Sequence, residues 1–122
     1  MIQAIRSSRF PYIALHFQIG DQRAPAFEFD VEPLVDTGFD GGLAVPQGLI
    51  PDTIAPVGRS TWYLADGTAI VVSSYFAYVT IGHLPPVPTA VITLDSDPLL
   101  GRHVTDRFRM VFDHGRQLTF EA

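Results

Sequence analysis

The sequence predicts an all-β barrel with one short helix near its C-terminus. Apolar and polar residues alternate with a two-residue period through most of the apolar stretches, which is the rhythm of half-buried strands. Ten glycines and ten prolines are dispersed along the chain as breaks between short elements. Only one segment, close to the end, carries the three-to-four-residue spacing of a helix. At 122 residues the chain is expected to form one domain, 1–122, large enough to bury its own core.

The first strand lies in PYIALHFQIG, where Ile13, Leu15, Phe17 and Ile19 alternate with Tyr12, Ala14, His16 and Gln18. AFEFDVE repeats the pattern, with Phe27, Phe29 and Val31 set against Glu28, Asp30 and Glu32. Pro33 ends the alternation, and the consecutive apolar pair Leu34 and Val35 is what a strand entering the interior requires. Asp36 therefore stands at the mouth of a buried strand.

In STWYLADGTAIVVSSYFAYVTIG two apolar runs flank Asp66 and Gly67, a pair suited to a two-residue type I′ turn. That turn sets Ala65 against Thr68, Tyr63 against Ile70 and Trp62 against Val71. Both faces of the hairpin are apolar, so it is expected to lie over another part of the molecule. AVITL follows as a short buried strand. In PLLGRHVTDRF, residues 98–101 lead into the helix, which places Val104 and Phe108 on one face and Thr105, Asp106 and Arg107 outward. RMVFDHGRQLTFE is a second hairpin, whose apolar faces match if a three-residue loop, 114–116, sets Met110 and Phe112 against Leu118 and Phe120.

Composition excludes several functions. All eight basic residues are arginine, none lies in a basic run, and the formal net charge is -5, so no nucleic-acid partner is expected. No stretch approaches the roughly 18 apolar residues of a membrane span, and the N-terminal residues lack an apolar signal core. The expectation is a soluble, cytoplasmic protein with no membrane partner. Cysteine is absent, which removes disulfide and thiol chemistry. His16, His83, His103 and His114 show no metal-ligand spacing, so neither a metal nor a cofactor is expected.

LVDTGFDGG, then WYLADGTAI, then LLGRHVTDRF form an ordered set: an apolar strand ending in Asp-Thr-Gly, a hairpin placed to act as a flap, and an apolar-apolar-Gly step into a short helix. This order resembles the retropepsin-like aspartic peptidases over about residues 10 to 121. DTGFDGGLAVP with an LLG…FRMVFD ending is similar to the small bacterial predicted aspartyl proteases of that family. The resemblance implies a closed retropepsin-like barrel and an aspartic endopeptidase acting on a peptide or protein substrate, with Asp36 as the catalytic residue. Such enzymes use two aspartates about 3 Å apart that share one proton, because like charges so close do not both ionise. Asp-Thr-Gly occurs once here, so the active form is expected to be a homodimer, with one Asp36 from each chain meeting across a twofold axis.

The resemblance assigns the remaining parts as well. Thr37 would bond across the dimer axis, Gly38 would let the substrate backbone approach, and Asp40 paired with Arg102 would brace the loop against the helix. The hairpin 62–71, including Trp62, Tyr63, Leu64 and Ala65 with Asp66 and Gly67 at its tip, would close over substrate. Phe39 stands where many retropepsins carry Ala or Ser, which implies a pocket-lining side chain or an altered loop. Plainer alternatives remain for each. Asp-Thr-Gly is ordinary turn chemistry, Asp40 with Arg102 is open to being a surface pair of little worth, and the hairpin needs no gating role. The corresponding alternative function is a non-catalytic module that binds extended peptides as an added strand or serves as an assembly domain.

Overall fold

The computed structural model describes residues 3–122, which form eleven strands and one helix of four residues. In chain order these are β1 (Ile5–Arg6), β2 (Leu15–Gly20), β3 (Pro25–Val31), β4 (Leu34–Val35), β5 (Leu43–Pro46), β6 (Gly58–Tyr63), β7 (Ala69–Thr80), β8 (Val87–Leu94), β9 (Leu99–Leu100), α1 (Arg102–Thr105), β10 (Arg109–Asp113) and β11 (Gln117–Glu121). The fold is nearly all-β, as its alternation predicts. The larger sheet runs β3-β2-β7-β8-β5-β9-β4, with β6 attached to β7, and the smaller runs β1-β11-β10.

The larger sheet curls into a half-barrel and is not the closed barrel expected from the sequence. Its β4 edge returns to the chain just ahead of β2 through a single bridge, Tyr12 to Leu34. The Ile13 N–H donates to the Pro33 carbonyl and the Val35 N–H to the Pro11 carbonyl, at 3.2 and 3.0 Å. Prolines on both sides of this seam have no N–H to donate, so a continuous ladder does not propagate across it.

Alternation decides what each strand buries. Leu15, Phe17 and Ile19 on β2 face a core completed by Leu43 and Val45, by Tyr75, Ala77 and Val79, and by Leu118 and Phe120 from the smaller sheet. A second, smaller cluster on the opposite face of the sheet contains Ala44, Val72 and Ile92, with Phe39, Trp62, Ile70, Leu94 and Leu99 packed against it. The strands β5, β7, β8 and β9 are thus apolar on both faces, which is why AVITL and LL read as continuous apolar runs.

Two hairpins test the sequence reading. Strands β10 and β11 pair Met110 with Phe120 and Phe112 with Leu118, in the expected register. The left-handed conformations its three-residue loop needs fall on His114 and Gly115, at φ 53° and 67°. The β6–β7 hairpin is shifted by one residue from expectation, pairing Tyr63 with Ala69, Trp62 with Ile70 and Thr61 with Val71. A type I′ turn needs positive φ at both Asp66 and Gly67, and only Gly67 has it, at 87°. The Gly67 N–H instead donates to the Leu64 carbonyl and the Leu64 N–H to the Thr68 carbonyl, at 2.9 and 2.8 Å, giving a longer loop with glycine at the left-handed position.

The helix also departs from its expected facing, since Thr105 is buried together with Val104. In this single turn the exposed positions are those of Arg102 and His103, and the two residues that follow, Val104 and Thr105, both point inward.

His16 on β2 lies between two carboxylates of the edge strand β3, with Nδ1 2.7 Å from Asp30 and Nε2 2.9 Å from Glu28. Partial burial disfavours its charged form, but hydrogen bonds and Coulomb attraction to Asp30 and Glu28 outweigh that and raise its pKa above the ordinary 6.5. A raised folded-state pKa stabilises the protein fully below the unfolded value, and that contribution disappears as pH rises through the folded one. Thermal melts from pH 5 to 9 should therefore show His16→Gln closing its gap with the wild type as pH rises. A gap that is constant or widens would show that the two carboxylates do not hold the imidazolium.

Candidate functional site

Asp36 follows directly on β4, and loop 36–42 then crosses to β5. Strand β9 lies between the two, parallel to β4 through Leu34–Leu99 and Val35–Leu100, and antiparallel to β5 through Leu43–Leu100 and Ala44–Leu99. The loop must therefore pass over the end of β9, and backbone hydrogen bonds fasten it there. The Asp36 N–H donates to the Leu100 carbonyl at 3.0 Å, Gly101 N–H to Gly42 at 2.7 Å, Arg102 N–H to Phe39 at 2.8 Å and His103 N–H to Gly41 at 3.1 Å. These bonds satisfy backbone groups at the start of α1 that its own turn leaves free.

Glycines permit the crossing. A Cβ at Gly101 would collide with the carbonyl of Gly41 and come within 2.7 Å of the Phe39 carbonyl. One at Gly42 would run into the Thr89 hydroxyl and lie 2.7 Å from the Ala90 carbonyl. This is close backbone approach rather than a demand for unusual φ.

Asp36 is half-buried, while Thr37 and Gly38 are exposed. The Asp36 Oδ1 accepts the Gly38 N–H at 2.9 Å, and the Phe39 N–H donates to the Asp36 carbonyl at 3.1 Å. One carboxylate oxygen is thus fixed by the turn. Oδ2 accepts no hydrogen bond from the described residues.

Phe39 is packed against the loop and the hairpin. Its ring lies 5.2 Å from that of Trp62 at an interplanar angle of 53°, and it occupies space beside Gly41 and Gly101 where a Cβ would come within 2.7 Å of ring atoms. The hairpin therefore rests on the loop through Phe39 and Trp62, and Ile70 and Val72 extend that contact over the second cluster. The hairpin lies over another part of the molecule with one face only. Its other face leaves Tyr63 75% and Val71 65% exposed. The Trp62 indole N–H is buried without an acceptor among the described residues. Leu64, Ala65, Asp66 and Gly67 form the exposed tip, where the Thr68 N–H donates to Asp66 at 2.9 Å. That backbone bond, with the Thr68 hydroxyl, holds the Asp66 carboxyl below its usual range.

The expected brace between Asp40 and Arg102 does not form. Arg102 pairs with Asp106 one helical turn later, at 3.3 Å, both side chains being more than half exposed. An i,i+4 partner on the same turn needs less side-chain ordering than one across the loop, and such a pair contributes about 0.3–0.5 kcal/mol. Asp40 instead lines a cavity of about 400 Å³ with Thr61, Trp62 and Tyr63. A brace the sequence did not suggest is supplied by His103, whose Nδ1 lies 2.7 Å from the Oγ1 of buried Thr89. It ties α1 to β8 beside Gly42. Nothing in the spacing of these two residues marks them, because the contact depends on how β8 lies under the loop.

A larger cavity of about 650 Å³, beside His16, shares no lining residue with loop 36–42, and its carboxylates Asp30 and Glu32 are already paired with His16 and Arg9. Among the described residues no group of three histidines or carboxylates is placed to hold a metal ion, and no helix is long and apolar enough to cross a membrane. No family model and no curated protein matches the chain. The chemistry of the site therefore rests on its own residues.

The close approach at Gly101 makes a sharp test of the crossing. Gly101→Ala should lower stability by about 1–3 kcal/mol, since the backbone it strikes has no free rotamer with which to yield. Gly58→Ala, where an added Cβ meets nothing within 4 Å, should change it by less than about 0.5 kcal/mol. Chemical denaturation of the two variants measures both, and equal midpoints would show that the loop does not depend on this contact.

Proposed function

We propose that the chain is one half of a homodimeric aspartic endopeptidase, hydrolysing peptide bonds through a water activated by two copies of Asp36. The observation that carries this reading is the way loop 36–42 is fastened over β9, which holds Asp36 at the end of a buried strand with one carboxylate oxygen fixed by Gly38 and the other uncommitted. General acid–base chemistry needs a carboxylate held in one geometry with an oxygen available to a proton.

In the proposed mechanism the ionised member of the pair takes a proton from a water while the protonated member donates a hydrogen bond to the scissile carbonyl. The water oxygen bonds to the carbonyl carbon, and the tetrahedral intermediate collapses as its nitrogen is protonated and the C–N bond breaks. One chain supplies one Asp-Thr-Gly, so two chains are needed. The exposure of Thr37 and Gly38 leaves them accessible to a second loop and to an extended peptide. In this reading the hairpin tip 64–67 closes over that peptide and excludes water.

A second reading, a non-catalytic module with the same loop, is favoured by one observation: the bond from Gly38 N–H to Oδ1 is the ordinary Asx turn that aspartate makes in any tight loop.

Asp36→Asn separates the two, because asparagine keeps that acceptor and loses the ionisable group. Hydrolysis of a mixed peptide library should fall at least about a hundredfold with the fold intact. Cleavage at the wild-type rate by Asp36→Asn would remove Asp36 from the chemistry. Sedimentation over a wide concentration range should show a reversible dimer, with peptidase activity following the dimer fraction. Activity that tracks total chain, or a protein monomeric throughout, would end the two-chain reading.

A further inference from the structure

The loop that carries Asp36 is tied at both ends to one peptide group. The Leu100 carbonyl accepts the Asp36 N–H at 3.0 Å, and the N–H of that same peptide unit, belonging to Gly101, donates to the Gly42 carbonyl at 2.7 Å. A peptide unit is planar, so its C=O and N–H turn together. A shift at Gly42 therefore reaches Asp36 through one rigid plane as well as along the loop.

What holds Gly42 lies outside the loop. Thr89, 4% exposed on β8, sits so close that a Cβ on Gly42 would strike the Thr89 hydroxyl and come within 3.1 Å of the Thr89 Cβ. Threonine has three staggered rotamers, and a turn about χ1 would move the hydroxyl off Gly42. His103 fixes the one observed, with its Nδ1 2.7 Å from Oγ1. The backbone of His103 adds a second hold, since its N–H donates to the Gly41 carbonyl at 3.1 Å. His103 thus grips Gly41 directly and Gly42 through Thr89. Its own side chain is exposed, so it contributes orientation rather than burial.

We propose that His103 and Thr89 are positioning residues for the chemistry at Asp36. The pair sets the rotamer that seats Gly42, Gly42 sets the tilt of the Leu100–Gly101 peptide, and that peptide sets the direction in which Asp36 presents Oδ2. The assignment rests on the endopeptidase reading, to which it adds two residues that touch neither the substrate nor the reacting atoms. A misplacement of about 1 Å at a reacting group costs on the order of a hundredfold in rate, so a loosened loop lowers kcat even with the fold intact.

The test separates the orientation of Asp36 from folding and from catalysis. His103→Ala comes first, because truncating an exposed side chain leaves no core cavity. Amide hydrogen exchange should speed up about tenfold at the Asp36 and Gly101 N–H groups, while the amides of β2, which pairs only with β3 and β7, keep their rates. With a peptide that the wild type cleaves, kcat should fall about tenfold and KM stay within about twofold, since neither residue meets the substrate. His103→Asn should restore most of both, because its side-chain amide puts a polar atom where Nδ1 lies. Thr89→Val, which removes the hydroxyl, should match His103→Ala, and the double variant should be no worse than either. Unchanged exchange at Asp36 and Gly101 in His103→Ala, an equal increase at the β2 amides, additive effects in the double variant, or a wild-type kcat with loosened loop amides each overturns the assignment. A wild type that cleaves no peptide removes the endopeptidase reading instead, and the exchange rates still decide whether the pair orients Asp36.

Discussion

The structure depends on one constraint, the threading of β9 between two strands that loop 36–42 joins. Strand β9 is two residues long, too short for stability of its own, yet it is paired on both sides. The loop that passes over its end must find partners for its buried backbone groups, and it finds them in the first turn of α1. Strand, loop and helix thus complete one another. Gly42 and Gly101 are glycine because backbone passes within a side chain's breadth of backbone there.

From this crossing follows the position of the hairpin. Along β7 the odd-numbered residues Tyr75, Ala77 and Val79 face the main core, and the even-numbered Ile70 and Val72 face the second cluster. A regular strand of twelve residues therefore serves two layers, the main core with its later half and the loop side with its earlier half. Phe39 is the residue through which the loop meets that earlier half. A smaller residue there would leave Trp62 without its ring contact, so the Asp-Thr-Gly loop and the hairpin are joined through a position that sequence reading treated as a departure.

Much of this was legible because alternation is local. Ile13 to Ile19 fixed the facing of the first long strand, and the apolar pairs around 114–116 fixed the last hairpin, both from residues close in sequence. Legibility failed where a local preference met a backbone detail or a distant partner. Asp66-Gly67 is compatible with two turns, and only the φ of Asp66 separates them. Arg102 was assigned to Asp40 across the loop, whereas Asp106 on its own turn holds it. Thr105 was assigned outward by a helical wheel drawn longer than the single turn that forms. His103 and Thr89 carry no motif, since their contact exists only because β8 lies beneath the loop. The prolines at 11 and 33 were read as punctuation, whereas their lack of N–H groups in the seam is what leaves the barrel half-open.

The division of labour within Asp36 ties the fold to the proposed chemistry. A turn aspartate with both oxygens engaged has little left to offer a substrate, and one with neither engaged pays rotamer entropy each time it is positioned. Here the Gly38 N–H holds Oδ1, and the Asp36 N–H is fixed to Leu100 on β9, so side chain and backbone are oriented from two sides. Oδ2 is then the only uncommitted oxygen on a group whose direction is already set. Preorganisation of this kind lowers the cost of meeting a reacting atom in the right geometry. The same carboxylate in an unsupported loop would make an equally good turn and a much poorer acid or base, so the crossing at β9, rather than the Asp-Thr-Gly triplet alone, is the feature that favours chemistry at Asp36.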